Sequence, residues 1–153
     1  VFKPLYSTKA KGMLLLADGP DAPETVEAYH NENPIMYIQK RLDLQGKDLG
    51  IAFLGGRYLA TYARVKGEGA WNTTTRSGGH YEAYDPPEAL IALAHKAQAP
   101  FGLDFTCVDV AETPAGPIVF EVSAFGGFRG IETASGIDAA RRYVQFVIDR
   151  IAS

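Results

Sequence analysis

The sequence predicts an α+β fold in which antiparallel strands are covered by a few helices. Two observations support this prediction: strand-like segments follow one another across tight turns, and two later segments repeat apolar residues at helical spacing. Gly55-Gly56 separates one pair of strands, and a turn at residues 113–117 separates another. Because strands joined by short turns pair antiparallel and amphipathic helices bury one side, we expect antiparallel sheets with helices packed against them.

Short strands and one helix are predicted for the first part of the chain. The strands are expected at residues 1–5, 13–17 and 35–39, with a polar turn at residues 6–12. Asp21-Ala22-Pro23-Glu24 resembles a capping box, because an acidic cap is followed by proline and then by glutamate three residues on. This pattern predicts a helix that ends near His30.

The remainder is predicted to form two hairpins, two helices and two glycine-rich loops. Asp85-Pro86-Pro87-Glu88 is a second capping-box pattern and predicts one helix, while the last helix is expected to start near Asp138. Long loops in compact domains tend to be functional, which makes the loop at residues 66–80 a candidate site segment. The strands are residues 50–54, 58–65, 105–111 and 118–122, and the loops are residues 66–80, with Trp71, and 124–136.

Composition narrows the class of protein. The 153 residues carry a net charge of −3 without a basic block, so nucleic acid is not expected as a partner. No apolar run approaches the roughly 20 residues of a membrane-spanning helix, so no membrane partner is expected. Cys107 is the only cysteine, which excludes an internal disulfide and fits a reducing compartment. We expect a cytoplasmic protein, and the abrupt start at Val1-Phe2-Lys3-Pro4 favours a fragment of a longer chain.

Two acidic residues lie on the last pair of strands. If that hairpin is symmetric about Ala115, Asp109 lies opposite Glu121, and Ser123 follows on the same face. Directly opposed residues have Cβ atoms about 4.5–5.5 Å apart, where like charges destabilise each other. Magnesium, which prefers oxygen ligands, would relieve this repulsion, and the alternative is two solvated acids on the polar face of a sheet. The opposite, apolar face would comprise Val108, Val110, Phe120 and Val122.

The chain also resembles a known family in the order of its motifs. The end of the chain is similar to the end of RimK-type ATP-grasp ligases, on the basis of Val108-Asp109, Val119-Phe120-Glu121-Val122-Ser123-Ala124, Gly127-Phe128-Arg129-Gly130-Ile131-Glu132 and Thr133-Ala134-Ser135-Gly136-Ile137-Asp138. Val1-Phe2-Lys3-Pro4 resembles the phosphate-contacting strand of that family. Tyr37-Ile38-Gln39-Lys40-Arg41-Leu42 resembles its adenine-contacting strand.

The resemblance implies two α+β lobes that hold ATP between their sheets. Residues 1–44 would be part of the small lobe and residues 45–153 the large lobe, with an amino-terminal domain outside this chain. The implied cofactors are ATP and magnesium, and the implied metal ligands are Asp109, Glu121 and Ser123. Lys3 would contact phosphate, and the residues expected at the adenine base are Gln39, Lys40, Leu42 and Phe120.

Several positions depart from the family pattern. Ser123 stands where the family has asparagine, and Gly50 stands where it has arginine. The phosphate-covering turn has fewer glycines but contains Lys9 and Lys11, which either serve as point charges on phosphate or are ordinary exposed residues. In the long loop, one arginine of the family is missing and another is shifted to Arg76.

Three arginines are candidates for binding a substrate carboxylate or the transferring phosphate, because a guanidinium group binds both in a bidentate manner. They are Arg64, Arg76 and Arg129. The alternative for each is an ordinary solvated arginine. Cys107 is expected to be a small buried hydrophobe rather than a nucleophile.

The function implied by the resemblance is an ATP- and magnesium-dependent ligase that forms a C–N bond. A carboxylate on a small molecule or a protein would attack the γ-phosphate, and an amine would then attack the acyl phosphate. The relatives join glutamate or a similar amino acid to a protein, a carrier or a pteridine. A nucleotide-binding module without ligase activity and an interaction domain stay open as alternatives, as does a homo-oligomer. The chain by itself is expected to be inactive.

Overall fold

The chain folds into two compact units, Val1–Leu42 and Asp43–Ser153. The computed structural model describes residues 1–8 and 10–152, and Lys9 lies outside the described residues. No helix within those two ranges is long and apolar enough to cross a membrane. The boundary between the lobes that is predicted from the sequence follows residue 44.

The first unit contains two short strands and one helix. β1 (Phe2–Pro4) pairs antiparallel with β2 (Met36–Ile38), and α1 (Ala22–Glu32) lies between them in the sequence. The strand expected at residues 13–17 is wrong, because only Leu14 forms a single bridge, to Phe2. The capping box is also wrong: Asp21 has a helical backbone rather than an extended one, and its side chain makes no cap hydrogen bond.

The second unit is built on a five-stranded antiparallel sheet with the strand order β5-β4-β3-β6-β7. Gly55 and Gly56 have φ angles of 57° and 73°, which is the left-handed backbone that a two-residue turn between β3 and β4 requires. Both predicted hairpins are confirmed, and β5 is an additional strand that the sequence analysis did not identify. The strands are β3 (Lys47–Leu54), β4 (Arg57–Val65), β5 (His80–Ala83), β6 (Phe105–Thr113) and β7 (Gly116–Ser123).

Helices cover both faces of this sheet. α2 (Glu88–Gln98) packs Leu90 and Ala94 onto an apolar core that includes Val110. On the other face, Ile131 of α3 (Arg129–Ser135) and Ala139 of α4 (Ala139–Ala152) belong to a second core. The glycine content predicted a loop where α3 forms, because a short helix is stabilised mainly by packing rather than by local sequence.

The pairing of β6 and β7 shifts by one residue between Asp109 and Val110. Asp109 pairs with Glu121 as predicted, whereas Val110 pairs with Val119, so Phe120 is an additional residue in β7. Such a bulge changes the face that the neighbouring side chains take. Val119 therefore packs against the α2 core, while Phe120, predicted on the apolar face, is 42% exposed.

Tyr62 fills the space beside Gly50 on the face that α3 covers. A Cβ atom at Gly50 would lie 2.3 Å from Cζ of Tyr62, and one at Gly130 would lie 2.9 Å from the same ring. Oη of Tyr62 also lies 3.4 Å from Sγ of Cys107, which is buried as predicted. The ring therefore fits only because the positions on either side of it, in β3 and in α3, are glycines.

Gly50→Ala is expected to lower the free energy of unfolding by about 1–3 kcal/mol, because the buried ring must shift to accommodate the added methyl group. Urea unfolding monitored by circular dichroism measures this change. The matched control is Gly127→Ala, since nothing lies within 4 Å of a Cβ atom placed there. In a Tyr62→Ala background the cost of Gly50→Ala should largely disappear, and an equal cost in both backgrounds would contradict the packing described here.

Candidate functional site

Asp48, Arg64 and Asp109 meet on three adjacent strands of the large sheet. Asp48 pairs with Arg64 across β3 and β4, and Gly50 pairs with Asp109 across β3 and β6. Arg64 donates hydrogen bonds to Oδ2 of Asp48 from both Nε, at 2.9 Å, and Nη2. Nη2 of Arg64 also lies 2.7 Å from Oδ2 of Asp109. One guanidinium group therefore bridges two carboxylates.

The pKa values of Asp109 and Arg64 are shifted because both groups are buried and close to other charges. Asp48 is 1% exposed and Asp109 is 8% exposed. Burial raises the pKa of Asp109 to about 6, which Arg64 partly offsets and Asp48 and Glu121 reinforce. Burial by itself would lower the pKa of Arg64, but Asp109 and Asp48 hold that pKa above its ordinary value. Arg64 stays charged, and a further cation beside Asp109 would favour its ionised form.

Asp109, Glu121 and Ser123 form a set of oxygen donors beside this ion pair. Asp109 lies opposite Glu121 in the β6–β7 pair, and Oγ of Ser123 donates a 2.6 Å hydrogen bond to Oε1 of Glu121. Two carboxylates and a hydroxyl fit magnesium, which takes oxygen ligands and keeps several positions for water and phosphate. Within the described part of the chain, no group of three or more His, Cys, Asp or Glu side chains is placed to hold a metal. Asp109 and Glu121 would therefore supply most of the negative charge that the protein offers to a bound ion.

The other candidate arginines are exposed. Arg76 lies in a 3₁₀ turn (Thr75–Ser77) that precedes β5, and Arg129 is the first residue of α3 rather than part of a loop. Gly130, which follows Arg129, touches the ring of Tyr62, and that ring centre lies 5.9 Å from Cζ of Arg64. Arg129 is thus held close to the face that carries the acids. The substrate roles of these arginines remain predictions.

The remaining candidate residues lie in the first unit. Nζ of Lys3 donates a hydrogen bond to Oε1 of Gln39 and lies 5.5 Å from the centre of the Tyr37 ring. The backbone of Gln39 pairs with Val1, so its own N–H and C=O groups are already engaged. Lys11 and Lys40 are exposed, Leu42 is half-buried, and Lys9 lies outside the described residues. The nucleotide contacts expected of these candidate residues remain predictions.

Asp48 is the charged residue of this group that the sequence analysis did not select as a site residue. A signal was present, because Asp48 is an acidic residue within a strand that is otherwise mostly apolar, and buried acids are almost always paired. Its partner could not be read from the sequence, since Arg64 lies on a different strand.

A family model for the RimK-like ATP-grasp domain matches residues 1–147 of the chain. The chain belongs to the RimK-like ATP-grasp family. A probable alpha-L-glutamate ligase of Thioalkalivibrio sulfidiphilus (strain HL-EbGR7) is 32% identical over 148 residues, which cover 96% of this chain and 49% of that protein. The chain therefore spans about half the length of the curated relatives that it matches.

Solved structures of ligases share the fold. The chain superposes on the D-cycloserine synthetase DcsG with a TM-score of 0.70 and 19% identity, over 97% of this chain and 54% of that one. It superposes on the ATP-grasp ligase PsnB, in complex with a minimal precursor, Mg and ADP, with a TM-score of 0.67 and 16% identity, over 96% of this chain and 44% of that one. These likenesses confirm the predicted ATP-grasp fold.

In metal-free buffer, the free energy of unfolding is expected to fall by about 1–3 kcal/mol as the pH rises from about 4 to about 6 because of Asp109. The pKa of this carboxyl group is raised in the folded state, so the folded protein binds the proton more tightly and loses that stabilisation when Asp109 ionises. Denaturant unfolding at several pH values measures the effect. Asp109→Asn should remove this pH dependence of the free energy of unfolding, and the exposed control Asp104→Asn should keep it. An equal pH dependence in both variants would exclude Asp109 as its source.

Proposed function

We propose that this chain is the nucleotide- and magnesium-binding part of a ligase that joins a carboxylate to an amine. The single observation that carries the proposal is the Asp109–Glu121 pair with the Ser123 hydroxyl beside it, in a chain of the RimK-like ATP-grasp family. The 32% identical relative is named a probable alpha-L-glutamate ligase, which supports glutamate as the amino acid that is joined. The acceptor is proposed to be a protein, a carrier or a pteridine-type molecule.

The proposed cofactors are ATP and magnesium. Magnesium would be held by Asp109, Glu121 and Ser123. A ligase of the same fold was solved with Mg and ADP, which supports a magnesium-bound nucleotide as the ligand. When bound, the ion offsets negative charge on the phosphates. Phosphate is proposed to contact Lys3 and Lys11, and the base is proposed to contact Gln39, Lys40, Leu42 and Phe120.

The proposed reaction has two steps. A carboxylate oxygen of the acceptor attacks the γ-phosphorus of ATP, and ADP leaves. The amine nitrogen of the second substrate then attacks the acyl carbon, phosphate leaves, and the nitrogen loses a proton. Arg129 and Arg76 are proposed to orient the carboxylate or the transferring phosphate, because both are exposed and guanidinium groups bind such anions in a bidentate manner.

Glu121→Gln is expected to abolish the magnesium-dependent part of nucleotide binding while leaving the fold intact or slightly more stable. The substitution removes one ligand charge and also relieves repulsion with Asp109. The measurement is the shift in unfolding temperature of the full-length protein with a non-hydrolysable ATP analogue, with and without magnesium. Glu88→Gln, at the start of α2, is the control and should behave like the wild type. An unchanged magnesium-dependent shift in Glu121→Gln would contradict the metal assignment.

Substitutions of Ser123 are expected to change the magnesium requirement by about tenfold or less, equivalent to about 1.4 kcal/mol. Ser123→Asn should lower the magnesium concentration needed, because the amide oxygen reaches roughly one bond farther, and Ser123→Ala should raise it moderately, because water can replace the hydroxyl. A magnesium titration of ATP turnover measures both. Complete loss of activity in Ser123→Ala would make serine essential, and no change in either variant would place it outside the metal site.

The second candidate function is a nucleotide-binding module without ligase activity. It is favoured by Gly50, which stands where the family has an arginine and where the ring of Tyr62 now fills the space. The two functions differ in one measurement: a ligase releases ADP when carboxylate and amine substrates are supplied to the full-length protein. Magnesium-dependent nucleotide binding without ADP release, across a panel of amino acids and acceptors, would favour the module.

A further inference from the structure

Arg64 is restrained on several sides. Asp48 accepts hydrogen bonds from its Nε and Nη2 atoms, so the paired donors along one edge of the guanidinium group are directed at Asp48. Only Nη2 also reaches Oδ2 of Asp109. The ring of Tyr62, itself enclosed by Gly50 and Gly130, lies against the same guanidinium group. Arg64 therefore contacts Asp48 through two nitrogen atoms and Asp109 through one.

This arrangement affects how Asp109 can bind a metal. An arginine that is free to rotate binds a carboxylate with two parallel hydrogen bonds and occupies both oxygens. Here Nε and Nη2 of Arg64 both contact one oxygen of Asp48, Oδ2, and only Nη2 also contacts Oδ2 of Asp109. The negative charge of Asp48 also balances the positive charge of Arg64, so the charge of Asp109 stays available to a second cation.

We infer that Asp48 is a positioning residue that limits the contact of Arg64 with Asp109 to a single nitrogen, so that Asp109 presents its remaining oxygen and its charge to magnesium. The inference rests on the proposed function, because it assumes that Asp109 is a magnesium ligand. Residues that orient a metal ligand without contacting the metal typically contribute about 10–100-fold to metal affinity. Without the negative charge of Asp48, Arg64 would turn to Asp109 and compete with the metal.

The same contacts are also consistent with a second role for Asp48, which is direct contact with a ligand. Its Oδ1 atom is buried and has no hydrogen-bond partner among the described residues, so a bound ion or nucleotide could contact it directly. The two roles differ in one respect: a positioning residue acts only through Arg64, whereas a direct ligand acts whether or not Arg64 is present. Removing both residues, singly and together, separates them.

The first experiment is a double-mutant cycle on magnesium affinity in the full-length protein. Asp48→Asn is expected to raise the magnesium concentration at half-maximal binding of a non-hydrolysable ATP analogue by about tenfold. In an Arg64→Gln background the same substitution should change this concentration by less than about twofold. The control is Asp104→Asn, which breaks another aspartate–arginine pair of this unit and should leave the magnesium concentration unchanged.

The second experiment uses neither magnesium nor nucleotide. The Nε–H signal of Arg64 in a ¹H–¹⁵N NMR spectrum, assigned by its loss in Arg64→Gln, is expected to exchange slowly with water, because this proton is bonded to buried Asp48. In Asp48→Asn the exchange should become faster. The spectrum thus reports whether Asp48 restrains Arg64, independently of any ligand.

The outcomes separate the inference from the proposed function. A purely structural role for Asp48 would lower the unfolding temperature without moving the magnesium concentration, and this result would overturn the inference. A tenfold effect of Asp48→Asn that persists without Arg64 would also overturn it, because Asp48 would then contact the ligand directly. Wild-type protein that restrains Arg64 yet binds no magnesium with the nucleotide analogue would overturn the proposed function and, with it, the metal role of Asp48.

Discussion

The ion pair that Arg64 forms with Asp48 and Asp109 is the constraint around which the second unit is arranged. Removing charged groups from water is costly, and this cost is offset only when every charge has a close partner. Three adjacent strands must therefore stay in register, since Asp48, Arg64 and Asp109 each come from a different one. Gly50 and Tyr62 complete the same arrangement, because the ring covers the glycine and lies beside the guanidinium group.

Because of the bulge in β7, side chains of this one strand lie in two different environments. On the turn side of the bulge, Val119 packs towards the α2 core. On the other side, Glu121 lies opposite Asp109 and Ser123 bonds to Glu121. Phe120 is the additional residue between them and is exposed rather than buried. A regular strand would have placed Phe120 on the apolar face, so the bulge is what leaves this aromatic ring exposed.

The departures from the family pattern are related to one another in space. The family has an arginine at the position of Gly50, and the ring of Tyr62 leaves no room for a longer side chain there. The cation that contacts Asp48 and Asp109 is Arg64, on the neighbouring strand. Ser123 is a shorter donor than the asparagine of the family, but its hydroxyl stays beside Glu121. The oxygen-donor set is therefore reduced rather than lost.

The sequence by itself determined the elements that depend on neighbouring residues. Gly55-Gly56 predicted a tight hairpin because few other residues adopt its backbone angles. The assumed symmetry about Ala115 predicted that Asp109 lies opposite Glu121, and the pair forms because the bulge offsets a turn in which Thr113 pairs with Gly116. The order of motifs predicted the ATP-grasp fold. Only the tertiary structure decided the bulge at Phe120, the helix α3 and the attachment of Arg64 to Asp48. These features depend on contacts between residues far apart in the chain, and local patterns carry no information about which distant side chains will meet.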